Sequence, residues 1–141
     1  MHIKTLISAT CLLFACGIAF ADSPTGNQDS PSAQVLLKST RSWDGTPYRS
    51  YPATQPELSI LKITIPANTT LPWHRHPVPN AAYVLSGELE VQARDGSKSI
   101  LIKAGDTLAE MVDIMHRGKT GNTPVELVVF YAGAVGTPLS Q

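Results

Sequence analysis

From residue 57 to residue 131 the chain alternates apolar and β-branched residues in short runs, and each run ends at a turn signal. Side chains on a strand point alternately to opposite faces, so this pattern implies strands with one buried side. Residues 57–65 (Glu-Leu-Ser-Ile-Leu-Lys-Ile-Thr-Ile) form the clearest run, closed by Pro66-Ala67-Asn68-Thr69. Asn68 is a residue that tolerates positive φ. Further strands are predicted at 81–85 and 88–93 around Ser86-Gly87, at 99–102, at 107–112, in a short segment carrying His116, and at 124–131. Asp95-Gly96 signals a hairpin before residue 99, and Ala104-Gly105-Asp106 a further turn. No stretch has sustained helical periodicity, so the fold class is all-β, a sandwich or jelly-roll barrel. A jelly roll of this size can bury a core and still leave a cavity between its sheets.

The remainder of the chain is less informative but bounds the class. Residues 1–21 read as a secretory signal peptide: Lys4 is the positive start, 6–20 is apolar, and Ala19-Phe20-Ala21 is a cleavage pattern. Leu13-Phe14-Ala15-Cys16 resembles a lipoprotein box, except that Phe14 stands where a small residue is usual. Cleavage after Ala21 implies a periplasmic or secreted protein. Both cysteines, Cys11 and Cys16, lie in this leader, so the mature chain has no disulfide and any metal site has no thiolate. Residues 22–32 offer almost nothing to bury and read as a disordered linker. Residues 33–141 then form one domain, with its core at 57–132. Lysine and arginine are scattered and the formal net charge is zero, which disfavours nucleic acid. No run is long enough for a membrane-spanning helix.

Of the four histidines, three fall in one constellation: His74 and His76 in Leu71-Pro72-Trp73-His74-Arg75-His76-Pro77-Val78-Pro79-Asn80, and His116 downstream. Histidine is the commonest metal-binding side chain. On an extended strand His74 and His76 face the same way, and Asn80 shares that parity if the strand continues through the prolines. Trp73 and Arg75 face the opposite way, and the parity of Tyr83 opposes that of Asn80. Met111 and Met115 flank the His116 region, with core filling as their default role. Trp43, in the turn Trp43-Asp44-Gly45-Thr46-Pro47, is an anchor for that turn, and Glu88 and Glu90 belong to a solvated face. No Ser-His-Asp set, phosphate loop or cysteine nucleophile is present, and no general base stands out.

These intervals resemble those of a small single-domain cupin of the conserved-barrel type. That family's first motif runs Gly, five residues, His-x-His, three or four residues, Glu, six residues, Gly; here the same positions hold Asn68, His74-Arg75-His76, Asn80 and Gly87. The second motif is matched by Gly105, Met111-Val112-Asp113 and His116, with Asn122 slightly displaced. Asp113, at a family glycine, is expected in a left-handed loop conformation. The resemblance implies a divalent metal (Fe, Mn, Ni, Cu or Zn) held by His74, His76 and His116, with Asn80 in place of the usual glutamate as a weak fourth ligand. Glu110 is an alternative source of the missing carboxylate, its facing left open by the sequence. The resemblance further implies a small-molecule substrate, a homodimer, and dioxygenase, lyase or decarboxylase, or isomerase chemistry. A non-enzymatic pocket for a metal or small molecule is the alternative.

Overall fold

In the computed structural model, which describes residues 30–141, the apolar runs become strands with one buried face. The leader at 1–21 and all but the end of the 22–32 linker lie outside the described residues. Contacts divide the chain after Ala33, and the fold is that of Gln34–Gln141. Its strands are β1 (Pro56–Ile65), β2 (Asn80–Ser86), β3 (Glu88–Ala93), β4 (Ser99–Lys103), β5 (Thr107–Ala109), β6 (His116–Thr120) and β7 (Val125–Ala134). They form two antiparallel sheets, ordered β1-β7-β2-β5 and β4-β3-β6. No helix occurs among the described residues.

The two inner faces meet in one core. Val84, Leu108, Val125, Leu127 and Val129 from the first sheet pack with Leu89, Val91 and Ile102 from the second. Val84 and Val125 are wholly removed from solvent, and each such side chain contributes about 1.5–3 kcal/mol of hydrophobic stabilisation. Trp43 packs against this core, and its backbone N–H donates to Ala109 O at 2.8 Å, which anchors the turn.

Asn68 and Asp113 both adopt positive φ, 52° and 57°, as their sequence context implies. The strand predicted at 107–112 is shorter. Its ladder with β2 pairs Tyr83↔Thr107, Ala82↔Leu108 and Ala81↔Ala109 and then stops. Beyond it Glu110 N donates to Asn80 O at 3.1 Å and Glu110 O accepts from the Tyr48 hydroxyl at 2.7 Å. Val112 instead forms an isolated parallel bridge with His76. The tail also departs from expectation. β7 runs on to Ala134, and Gln141 folds back to exchange both backbone hydrogen bonds with Arg75, each at 3.0 Å.

Candidate metal centre

The proline-rich segment between β1 and β2 lacks an N–H at Pro72, Pro77 and Pro79, and its histidines carry much of its backbone attachment. His74 and His116 exchange backbone hydrogen bonds at 3.0 and 2.8 Å, and His76 O accepts from Asp113 N at 2.8 Å. Directly paired antiparallel residues share a face, so the His116 ring lies beside that of His74. His76, two residues on, returns to the same side. The ring centroids form a near-equilateral triangle: 5.1 Å from His74 to His76, 4.7 Å from His74 to His116 and 5.0 Å from His76 to His116. Trp73 lies under the Arg117 guanidinium at 4.2 Å, and Arg75 binds the Gln141 side chain at 3.0 and 3.2 Å.

Hydrogen bonds decide the tautomer of every ring. The Nδ1 atoms of His74, His76 and His116 lie 2.9, 2.8 and 2.8 Å from the carbonyl oxygens of Pro72, Leu139 and Ile114. A carbonyl can only accept, so each Nδ1 carries the proton and each Nε2 is left with a lone pair. Orientation of a ligand by a backbone carbonyl behind it is the usual arrangement of metal-binding histidine. One ring nitrogen from each of the three lies within 4.8 Å of the others. Imidazole binds an ion at about 2.1 Å, so small side-chain shifts let the three share one.

The electrostatics favour neutral rings at His76 and His116. Burial pushes His116 down to about 4, its bond to Ile114 opposing and the neighbouring His74 and His76 adding. Burial likewise lowers His76, against its bond to Leu139. Glu110 is the other ionisable group here: its Oε2 lies 3.4 Å from His116 Nε2. Burial pushes it up to about 7, a backbone bond from Met111 opposing. Among the described residues neither His116 Nε2 nor Glu110 Oε2 has a hydrogen-bond partner, although both are buried. Two unpartnered acceptors beside converging lone pairs fit a divalent cation.

The three histidines and Glu110 open into a cavity of about 330 Å³, lined otherwise mainly by apolar side chains such as Leu61, Ile63, Leu71, Leu127 and Val129, with Tyr131 at its wall. Tyr131 stands edge-on to His76 at 5.6 Å. Asn80 is buried in phase with Ala82 and Val84 on the core face of β2, and it also borders a groove of about 540 Å³ with Tyr48 and Phe130, separate from the histidine cavity. Its Nδ2 donates to Val78 O at 3.1 Å and its Oδ1 has no partner among the described residues. Met111 is buried, Met115 only half-buried, and neither lines the histidine cavity. Sequence reasoning missed Leu139, whose carbonyl orients His76 from 63 residues away with no local signal.

The sequence matches the Cupin domain family over residues 61–131, about half of the chain. The chain belongs to the cupin family. Solved cupin-like folds agree. The DMSP lyase DddQ from Ruegeria pomeroyi shares 24% identity at a TM-score of 0.54, over 69% of this chain and 46% of that one. The polyketide cyclase RemF from Streptomyces resistomycificus shares 17% at 0.52, over 63% and 61%. A cupin-like protein from Thermotoga maritima shares 17% at 0.51, over 60% and 62%. The cupin chain thus spans just under half of the lyase it matches. No protein of curated function matches it. Among the described residues no helix is long and apolar enough to cross a membrane.

Proposed function

We propose that this cupin is a metalloprotein that holds one divalent ion on His74, His76 and His116 and acts on a small organic molecule beside it. The observation that carries this reading is the common tautomer: three backbone carbonyls take the Nδ1 protons, which leaves a lone pair on each Nε2 in a cluster with one ring nitrogen from each histidine within 4.8 Å of the others. A divalent metal there supplies Lewis acidity to an oxygen or nitrogen of the bound molecule. The imidazole set suits Zn, Fe, Cu or Ni more than Mg or Ca. The chain itself contributes enclosure and shape. Apolar walls exclude water and receive a non-polar body, and the histidine end receives the polar group. The named lyase and cyclase share the fold, but their different activities leave the reaction class open among dioxygenase, lyase and isomerase types.

Metal analysis of untagged protein tests this reading. Close to one equivalent of a transition metal is expected in the wild type and almost none in His74→Ala. Absence of metal from the wild type after reconstitution with Fe, Mn, Ni, Cu and Zn in turn would end it. Two further expectations accompany the proposal. The composition of 1–21 supports export, so N-terminal sequencing of mature protein is expected to begin at Asp22. Leu58 and Ile60, exposed on the outer strand β1, support a homodimer, and sedimentation at native ionic strength reads this directly.

A further inference from the structure

The cupin pattern expects a carboxylate at position 80, and this chain has an amide there. The β2–β5 register runs Tyr83↔Thr107, Ala82↔Leu108, Ala81↔Ala109, so the next residue opposite Asn80 is Glu110. The backbone confirms the pairing, because Glu110 N donates to Asn80 O at 3.1 Å. Residues directly opposite on an antiparallel pair present side chains to one face with Cβ atoms about 4.5–5.5 Å apart. The carboxylate absent from β2 is therefore present one strand away, on the same face. Its backbone is well held: Glu110 O accepts from the Tyr48 hydroxyl at 2.7 Å.

We infer that Glu110 is the carboxylate ligand of this metal centre, displaced across the sheet from position 80. The inference rests on the three-histidine reading. His116 has given its only ring proton to Ile114 O, so Nε2 presents a lone pair, and the buried Glu110 Oε2 faces it at 3.4 Å. Neither atom has another partner among the described residues, and an electropositive centre shared by both satisfies them together. Ligands at neighbouring corners of one coordination sphere, each about 2.1 Å from the ion, lie about 3.0–3.4 Å apart. Three neutral imidazoles leave a divalent ion at about +2, and a carboxylate reduces this to about +1. Asn80 cannot make that change.

Co(II) titration, read in the visible spectrum, separates the possibilities, with wild type, His74→Ala, Glu110→Gln, Asn80→Ala and the double variant Glu110→Gln/Asn80→Glu compared. Glu110→Gln is expected to weaken Co(II) binding about a hundredfold or more, since loss even of a residue that only orients a ligand costs about 10–100-fold. Its ligand-field bands are expected to shift. Asn80→Ala is expected to leave affinity and spectrum close to wild type, and the double variant to regain affinity by returning the carboxylate to β2. Wild-type affinity and spectrum in Glu110→Gln, with Co(II) lost in His74→Ala, would overturn the inference and leave the histidine reading standing. A loss in Asn80→Ala alone would overturn it in favour of the amide. No Co(II) in the wild type would remove the histidine reading itself. Should Glu110→Gln fail to fold, infrared difference spectra of the wild type, Zn-loaded minus metal-free, carry the test: a changed carboxylate stretch supports Glu110 and an unchanged carboxylate region overturns it.

Discussion

Gly87→Ala is expected to destabilise the fold by about 2–5 kcal/mol, from two terms of similar size. Gly87 sits where the chain leaves β2 in one sheet and enters β3 in the other, at a φ of +78°. An L-residue in that left-handed region costs about 1–2 kcal/mol. A methyl group there would also lie 2.2 Å from Pro124 O and 3.0 Å from Val125 Cγ2. Pro124 O belongs to backbone entering the central strand β7, so it cannot swing aside as a flexible side chain could. Overpacking of this kind costs about 1–3 kcal/mol. Gly96→Ala separates the terms, because Gly96 has φ +72° but nothing within 4 Å of the added carbon. It is expected to show the conformational cost alone. Urea unfolding of the two variants beside wild type gives both numbers, and equal losses would show that the Pro124 contact plays no part.

Metal affinity is expected to climb about a hundredfold more steeply between pH 5 and pH 7 in wild type than in Glu110→Gln. In the metal-free fold Glu110 titrates at about 7. Below that pH its carboxyl carries a proton that an incoming ion must displace. Each unit of pH then changes affinity about tenfold, and the slope flattens once the group is ionised. The effect on stability has a definite sign. A carboxyl raised in the folded state stabilises the metal-free fold below its unfolded value and loses that contribution as pH rises through about 7. His116, lowered to about 4, works the other way: its contribution is present above its unfolded value and is lost as pH falls through about 4. A bound ion removes the alkaline loss, so Zn(II) is expected to raise the melting temperature more at pH 8 than at pH 5. Identical pH slopes for wild type and Glu110→Gln, measured by competition with a chelator of known pH behaviour, would exclude Glu110 from the site.

Local chemistry made much of this legible in the chain itself. Alternation located the strands, because one buried face is a property of neighbouring residues. The parity of His74 and His76 put both rings on one side for the same reason. Asn68 and Asp113 identified themselves as left-handed positions because few other side chains tolerate that conformation. What stayed hidden was register and return. The facing of Glu110 depends on Ala81 pairing with Ala109, a match between distant strands that no local pattern specifies. Leu108 on the core face is in phase with Glu110, which is the one signal that could have pointed inward. The Leu139 carbonyl behind His76 leaves no signal in the sequence, since every residue type carries the same backbone oxygen.

That last contact places the site in time as well as space. His76 is oriented by a carbonyl 63 residues later in the chain, and Arg75 beside it is tied by two backbone bonds to Gln141. Ribosomes add about 5–20 residues per second, so roughly 3–13 s separate synthesis of the ring from synthesis of the group that orients it. Through that interval the nascent chain displays two histidines in an extended, proline-stiffened segment without the sheet or tail that aims them. The aim of His76 is therefore set only once the chain extends through residue 139.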